Sequence, residues 1–105
     1  MILETEKGKI EGEEIRVYGR EDNSVVFESD SEEKVLAVDG SVPGKKDNGD
    51  YPIVITERDG HAEVKINQYG DYVIVGNERE LDGTLEAQDG DRIEIGRQAS
   101  LDLSL

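Results

Sequence analysis

Residues 72–96 read Tyr-Val-Ile-Val-Gly-Asn-Glu-Arg-Glu-Leu-Asp-Gly-Thr-Leu-Glu-Ala-Gln-Asp-Gly-Asp-Arg-Ile-Glu-Ile-Gly, and their punctuation decides the fold. Tyr72 to Val75 is a continuous apolar run that ends in a short glycine-containing turn at Gly76-Asn77. A second turn, Gln88-Asp89-Gly90-Asp91, launches Arg92 to Ile95, where Ile93 and Ile95 alternate with Arg92 and Glu94. Alternation at every second residue is the mark of a strand with one face buried.

The same signal extends outward in both directions. Ile15 and Val17 alternate with Glu14 and Arg16, and Ala62, Val64 and Ile66 with Glu63 and Lys65. Leu101, Leu103 and Leu105 alternate with Asp102 and Ser104, which predicts a last strand that finishes inside the fold. Continuous runs at Val25–Phe27, Val35–Val38, Ile53–Ile55 and Tyr72–Val75 read as strands buried on both faces or at the sandwich centre. Turn residues separate these runs: Lys7-Gly8-Lys9, Asp39-Gly40, Arg58-Asp59-Gly60 and Tyr69-Gly70-Asp71. Ser41 to Asp50 is the longest irregular piece and reads as an exposed loop, with Pro52 opening the next strand or sitting on an edge. Helical periodicity is nearly absent; one turn of helix fits Ser29–Lys34, capped by Ser29 or Asp30. The expectation is an all-β antiparallel β-sandwich, one domain spanning residues 1–105.

Composition narrows the function. The chain has 26 acidic residues against 12 basic, a formal net charge of -14. A phosphate backbone needs a basic face, so direct nucleic-acid binding is set aside. Three readings of the charge stand: a solvated, self-repelling surface suited to a salt-rich habitat, an acidic face for a basic partner, and mimicry of nucleic-acid charge by an inhibitor. No apolar run approaches the ~20 residues that span a bilayer, and no basic-then-apolar leader follows Met1, so a cytoplasmic protein without membrane contact is expected. Cysteine is absent and His61 is the single histidine, which removes thiolate and multi-histidine metal sites; no cofactor is expected.

The closing segment resembles that of a forkhead-associated (FHA) domain, a β-sandwich that reads phosphothreonine. Such domains end in a hydrophobic strand, an Asn-Gly turn, an Asp-Gly-Asp turn, an Ile-x-Ile-Gly strand and a final apolar strand. The likeness covers nearly the whole chain in order. Met1 to Tyr18 correspond to the first two strands, and Gly19-Arg20 stands where the family has its Gly-Arg. There the arginine holds a phosphate oxygen through a charge-assisted contact. Asp30-Ser31 falls at the family's Ser-x-x-His motif, whose hydroxyl also holds the phosphate.

The resemblance implies a phosphopeptide site of Arg20 and Ser31, with flanking peptide met by Gly70, Asp71, Gly76 and Asn77. Several positions depart from the family. Glu32 stands where a basic residue follows the serine, and Lys34 replaces the histidine. Tyr69-Gly70-Asp71 replaces Asn-Gly-Thr, the later Asn-Gly is reversed as Gly76-Asn77, and Ala87 replaces a leucine. Carboxylates beside the serine repel a dianionic phosphate, so a degenerate site is expected. The alternative for Arg20 is a surface ion pair with one of the many acids.

Other chemistry is weaker. Asp47-Asn48-Gly49-Asp50 and Asp89-Gly90-Asp91 have oxygen donors but not the spacing of a calcium loop, and tight turns use the same residues. His61 has no serine or cysteine partner in a recognisable motif, and Tyr51, Tyr69 and Tyr72 read as strand-packing residues. The expected function is therefore a non-catalytic protein-interaction module that binds a protein or phosphopeptide. The alternative is an acidic inhibitor or structural protein, viral ones included, whose negative surface mimics nucleic acid or occupies a basic groove on its partner.

Overall fold

The computed structural model describes residues 1–67 and 72–105. Within them the chain is all-β, with two antiparallel six-stranded sheets and no helix. Sheet one contains β1 (Ile2–Thr5), β2 (Gly8–Glu11), β8 (Val73–Val75), β9 (Glu78–Glu80), β11 (Arg92–Ile95) and β12 (Ala99–Ser104), in the order β2-β1-β12-β11-β8-β9. Sheet two contains β3 (Glu14–Gly19), β4 (Ser24–Glu28), β5 (Glu33–Val38), β6 (Ile53–Arg58), β7 (His61–Ile66) and β10 (Gly83–Ala87), in the order β10-β7-β6-β3-β4-β5.

The alternation seen in the sequence sorts side chains between the core and the outer faces. Leu3, Ile10, Ile93, Ile95, Leu101 and Leu103 face inward from sheet one; Ile15, Val17, Phe27, Ile53, Ile55, Val64 and Ile66 meet them from sheet two. Register pairs such as Ile15↔Ile55, Ile55↔Val64 and Ile93↔Leu101 line these residues up across neighbouring strands. Side-chain area removed from water at ~25 cal/mol per Å2 is the main stabilising term for a core of this kind. A one-residue slip would turn every one of these side chains outward, so the pattern also fixes the register.

Several expectations are corrected in detail. Met1 to Tyr18 hold three strands rather than two, because Gly12 and Glu13 break the run and carry the chain from sheet one to sheet two. Ser29–Lys34 forms no helical turn. The Ser29 hydroxyl accepts the backbone N–H of Glu32 at 3.2 Å, closing a tight turn, and β5 starts at Glu33. The Val35–Val38 run is not buried on both faces: β5 is an edge strand in which Val35 is 44% and Val38 51% exposed. A register shift between Val25 and Val26 brings Leu36 and Ala37 both into the core. Tyr72 lies outside β8 and is half exposed, whereas β12 is a central strand, flanked by β1 and β11.

Each strand runs opposite to the one before it, so the connections divide between two ends of the sandwich. The β1–β2, β3–β4, β5–β6, β9–β10 and β11–β12 connections share one end. The β2–β3, β4–β5, β6–β7, β8–β9 and β10–β11 connections share the other.

Candidate functional site

Arg20 follows β3 and begins the β3–β4 turn, where its backbone N–H bonds to Ser24 C=O at 2.9 Å. The glycine before it has a steric reason. A Cβ at Gly19 would stand 2.1 Å from the Val42 carbonyl oxygen, because the long loop after β5 lies against this strand end. The Gly19 N–H donates to Pro43 C=O at 2.8 Å and fixes that approach. The Arg20 side chain is paired rather than open: its Nη2 meets Glu33 Oε1 at 2.7 Å, with both side chains about half exposed.

Ser31 stands at the opposite end. It belongs to the β4–β5 turn, and the five residues of β4 separate that turn from the one holding Arg20. At ~3.3 Å per residue that is about 16 Å of strand. The Ser31 hydroxyl lies 3.5 Å from the Ser29 hydroxyl. Gly76 and Asn77 form the β8–β9 turn at the Ser31 end, Gly76 with φ of 60°. Gly70 and Asp71 lie outside the described residues. Of the expected phosphopeptide residues, then, the Arg20 backbone lies at one end of the sandwich and Ser31, Gly76 and Asn77 at the other, while the Arg20 side chain reaches Glu33 at the start of β5, two residues past Ser31.

Two clusters near the Arg20 end join residues that the sequence does not connect. The first centres on Asp39, just after β5, a carboxylate only 4% exposed. Its Oδ1 accepts the Ser41 N–H at 2.9 Å and the Ser41 hydroxyl at 2.5 Å. Its Oδ2 accepts the backbone N–H groups of Arg97, Gln98 and Ala99 at 2.8, 2.6 and 3.2 Å. One side chain of sheet two thus pins the β11–β12 turn of sheet one. Burial alone would raise its pKa, but the bonds from Ser41, Gln98 and Ala99 outweigh burial and hold it below the usual carboxylate value.

The second cluster lies on the outer face of sheet two. Tyr18, on β3, and Tyr51, at the end of the long loop, form a tilted pair with ring centroids 5.7 Å apart and planes at 50°. Lys45 Nζ lies 5.5 Å from the Tyr18 centroid and 5.6 Å from that of Tyr51. The Tyr51 hydroxyl donates to Glu28 Oε2 at 2.8 Å, and Arg16 Nε donates to the same oxygen at 3.1 Å. These bonds, that of Tyr51 first, lower the Glu28 pKa against the effect of burial, and the bond to Glu28 raises that of the Tyr51 phenol.

The remaining singled-out groups have structural partners. Asp91 Oδ2 accepts the Gln88 N–H at 2.8 Å and Asp89 Oδ1 accepts the Leu105 N–H at 2.9 Å, so both acids of that turn brace backbone. His61 Nδ1 lies 3.6 Å from Glu86, on strand pairs far in sequence from Arg20. Tyr72 carries the Arg79 guanidinium 5.1 Å from its ring. Charge is unevenly divided between the ends. The turns of the Ser31 end hold Glu13, Asp30, Glu32, Asp59, Asp89 and Asp91 with no lysine or arginine, whereas Lys7, Arg20, Lys45, Lys46 and Arg97 all lie in connections of the Arg20 end.

No protein-family model matches this sequence, and neither a curated protein nor a solved structure matches it.

Proposed function

We propose that this chain is a non-catalytic protein-interaction module, FHA-like in its strand order, whose phosphothreonine seat is degenerate. The observation that carries the reading is the 2.7 Å ion pair between Arg20 and Glu33. A carboxylate of the protein itself takes one donor of the fork that would otherwise hold a phosphate oxygen. The serine expected to complete the seat lies in the turn just before Glu33, next to Asp30 and Glu32, whose charge opposes a dianion. The order of β8, the Gly76-Asn77 turn, the Asp89-Gly90-Asp91 turn, β11 and β12 supports the FHA-like part of the reading. The proposal places the module in the cytoplasm with a protein partner, in keeping with a chain free of cysteine. Among the described residues, no helix is long and apolar enough to cross a membrane.

Titrating a degenerate phosphothreonine peptide library against the protein tests the reading. No binding in the micromolar range is expected. A micromolar ligand that is lost on dephosphorylation overturns the degenerate seat and restores a phosphopeptide reader.

A second reading is favoured by the division of charge between the two ends. The acid-only turns of the Ser31 end suit a basic groove on a partner, as an inhibitor with a negative surface requires. Binding of that kind weakens steeply with salt, while contact through an apolar or hydrogen-bonded patch does not.

A further inference from the structure

The outer face of sheet two carries an aromatic pair already filled by a cation from the same chain. We propose that Tyr18 and Tyr51 form a recognition site for a cationic side chain of a partner protein, and that Lys45 closes this site in the free molecule. The site neighbours Arg20 but uses different side chains, so its test is separable from the phosphothreonine question.

The geometry is that of a cation seat. Lys45 Nζ is within 6 Å of both ring centroids, at 5.5 and 5.6 Å, the range in which an ammonium is attracted to the negative faces of aromatic rings. The two rings are held in place by different parts of the chain. Tyr18 is 9% exposed and belongs to β3; Tyr51 is fixed by its hydroxyl bond to Glu28. Glu28 supplies a charged carboxylate behind the rings, so a cation seated there meets both π faces and a counter-ion. Arg16 lies 5.7 Å from the Tyr51 centroid and donates to Glu28, which leaves the Lys45 position as the one supplied by a loop.

Lys45 fills the seat in the free molecule but is displaceable. It is exposed, and it reaches the rings from the irregular stretch between β5 and β6 rather than from a strand. The contacts that hold it are the two ring faces and the electrostatic pull of Glu28. Exposed cation–π contacts are weak one by one and strengthen when water is excluded. A partner that lays an arginine or a methylated lysine here, and covers the site as it does so, therefore gains more than Lys45 loses. The net charge of -14 draws basic partners toward the molecule in the first place.

The test is a titration of isotopically labelled protein, followed through the ring resonances of Tyr18 and Tyr51 at fixed ionic strength. Four short peptides are compared, identical except for one central residue: arginine, lysine, trimethyl-lysine or the neutral norleucine. The cationic peptides should shift both rings saturably and the norleucine peptide should not; whichever cation binds best identifies the source. Lys45→Ala should tighten the best peptide at least about threefold, because a seat that is mostly occupied lowers the apparent affinity by its vacant fraction. Tyr51→Leu, which changes a loop residue and spares the sheet, should abolish the ring shifts of Tyr18. Equal affinity of wild type and Lys45→Ala, or equal binding of norleucine and the cations, overturns the proposal.

Discussion

Replacing Asp39 is the sharpest test of how the sandwich is held at its Arg20 end. Asp39→Ala removes the acceptor of five hydrogen bonds, two from Ser41 and one each from the backbones of Arg97, Gln98 and Ala99. Not all of them count in full. Arg97 and Gln98 are exposed, so water can take over their donors, whereas Ala99 is 3% exposed and its N–H is left dry. An unsatisfied buried donor costs ~1–3 kcal/mol and a bond to a charged group contributes ~1.5–3 kcal/mol. The loss is therefore about 3 kcal/mol rather than the sum of five bonds, or about 12–24 °C in melting temperature for a domain of this size. Thermal denaturation followed by circular dichroism measures it.

The pH dependence of that loss has a definite sign. The folded-state pKa of Asp39 is depressed, so its contribution is fully present above the unfolded carboxylate value of ~3.9 and is lost as pH falls through the folded value. The gap between wild type and Asp39→Asn should be constant above about pH 5 and should close in stronger acid. A variant that melts within about 3 °C of wild type at neutral pH, or a gap that persists unchanged into strong acid, would refute the role of the charged carboxylate.

Two further outcomes follow from the same structure. Gly19→Ala drives a methyl to within 2.1 Å of the Val42 carbonyl oxygen, so the loop must move and the Gly19–Pro43 bond is lost; a destabilisation of ~1–3 kcal/mol is expected from chemical denaturation, and an unchanged midpoint would show that the loop does not rest on β3. The net charge of -14 makes self-repulsion the dominant surface effect, so the melting temperature should rise between dilute buffer and about 1 M potassium chloride; a flat or falling trend would mean that ion pairs such as Arg16 with Glu14 and Glu28 offset it.

Most of the fold was legible because alternation needs no knowledge of partners. Ile15, Val17, Ile93, Ile95, Leu101 and Leu103 are read as inward-facing from the chain alone and are buried in the core. What was missed depends on chain direction and on distant contacts. Arg20 and Ser31 are close in sequence, but the strand between them carries the second to the other end of the sandwich. Gly12-Glu13 sits in a polar stretch with no pattern to mark the crossing between sheets. Val35–Val38 is an apolar run whose edge position, and the bulge that turns Val35 and Val38 outward, leave no trace in the local sequence. Asp39 is one acid among 26, and its partners lie 58 to 60 residues further on. Its only local signature is the Asp-Gly-Ser turn, in which the Asp39 side chain bonds the Ser41 N–H. The Tyr18–Tyr51 pair joins a strand to a loop with β4 and β5 between them in sequence, and it has no local signature.

The central claim is that Glu33 holds the Arg20 guanidinium in place of a phosphate, and calorimetric titration of one phosphothreonine peptide into wild type and Glu33→Gln addresses it most directly. Releasing the fork removes a competing, half-exposed ion pair of ~0.2–1 kcal/mol, so the account predicts that Glu33→Gln binds more tightly than wild type by up to about fivefold, and that adding Arg20→Ala to it removes the gain. Equal affinities for wild type and Glu33→Gln, or micromolar binding by wild type that disappears on dephosphorylation, would contradict it.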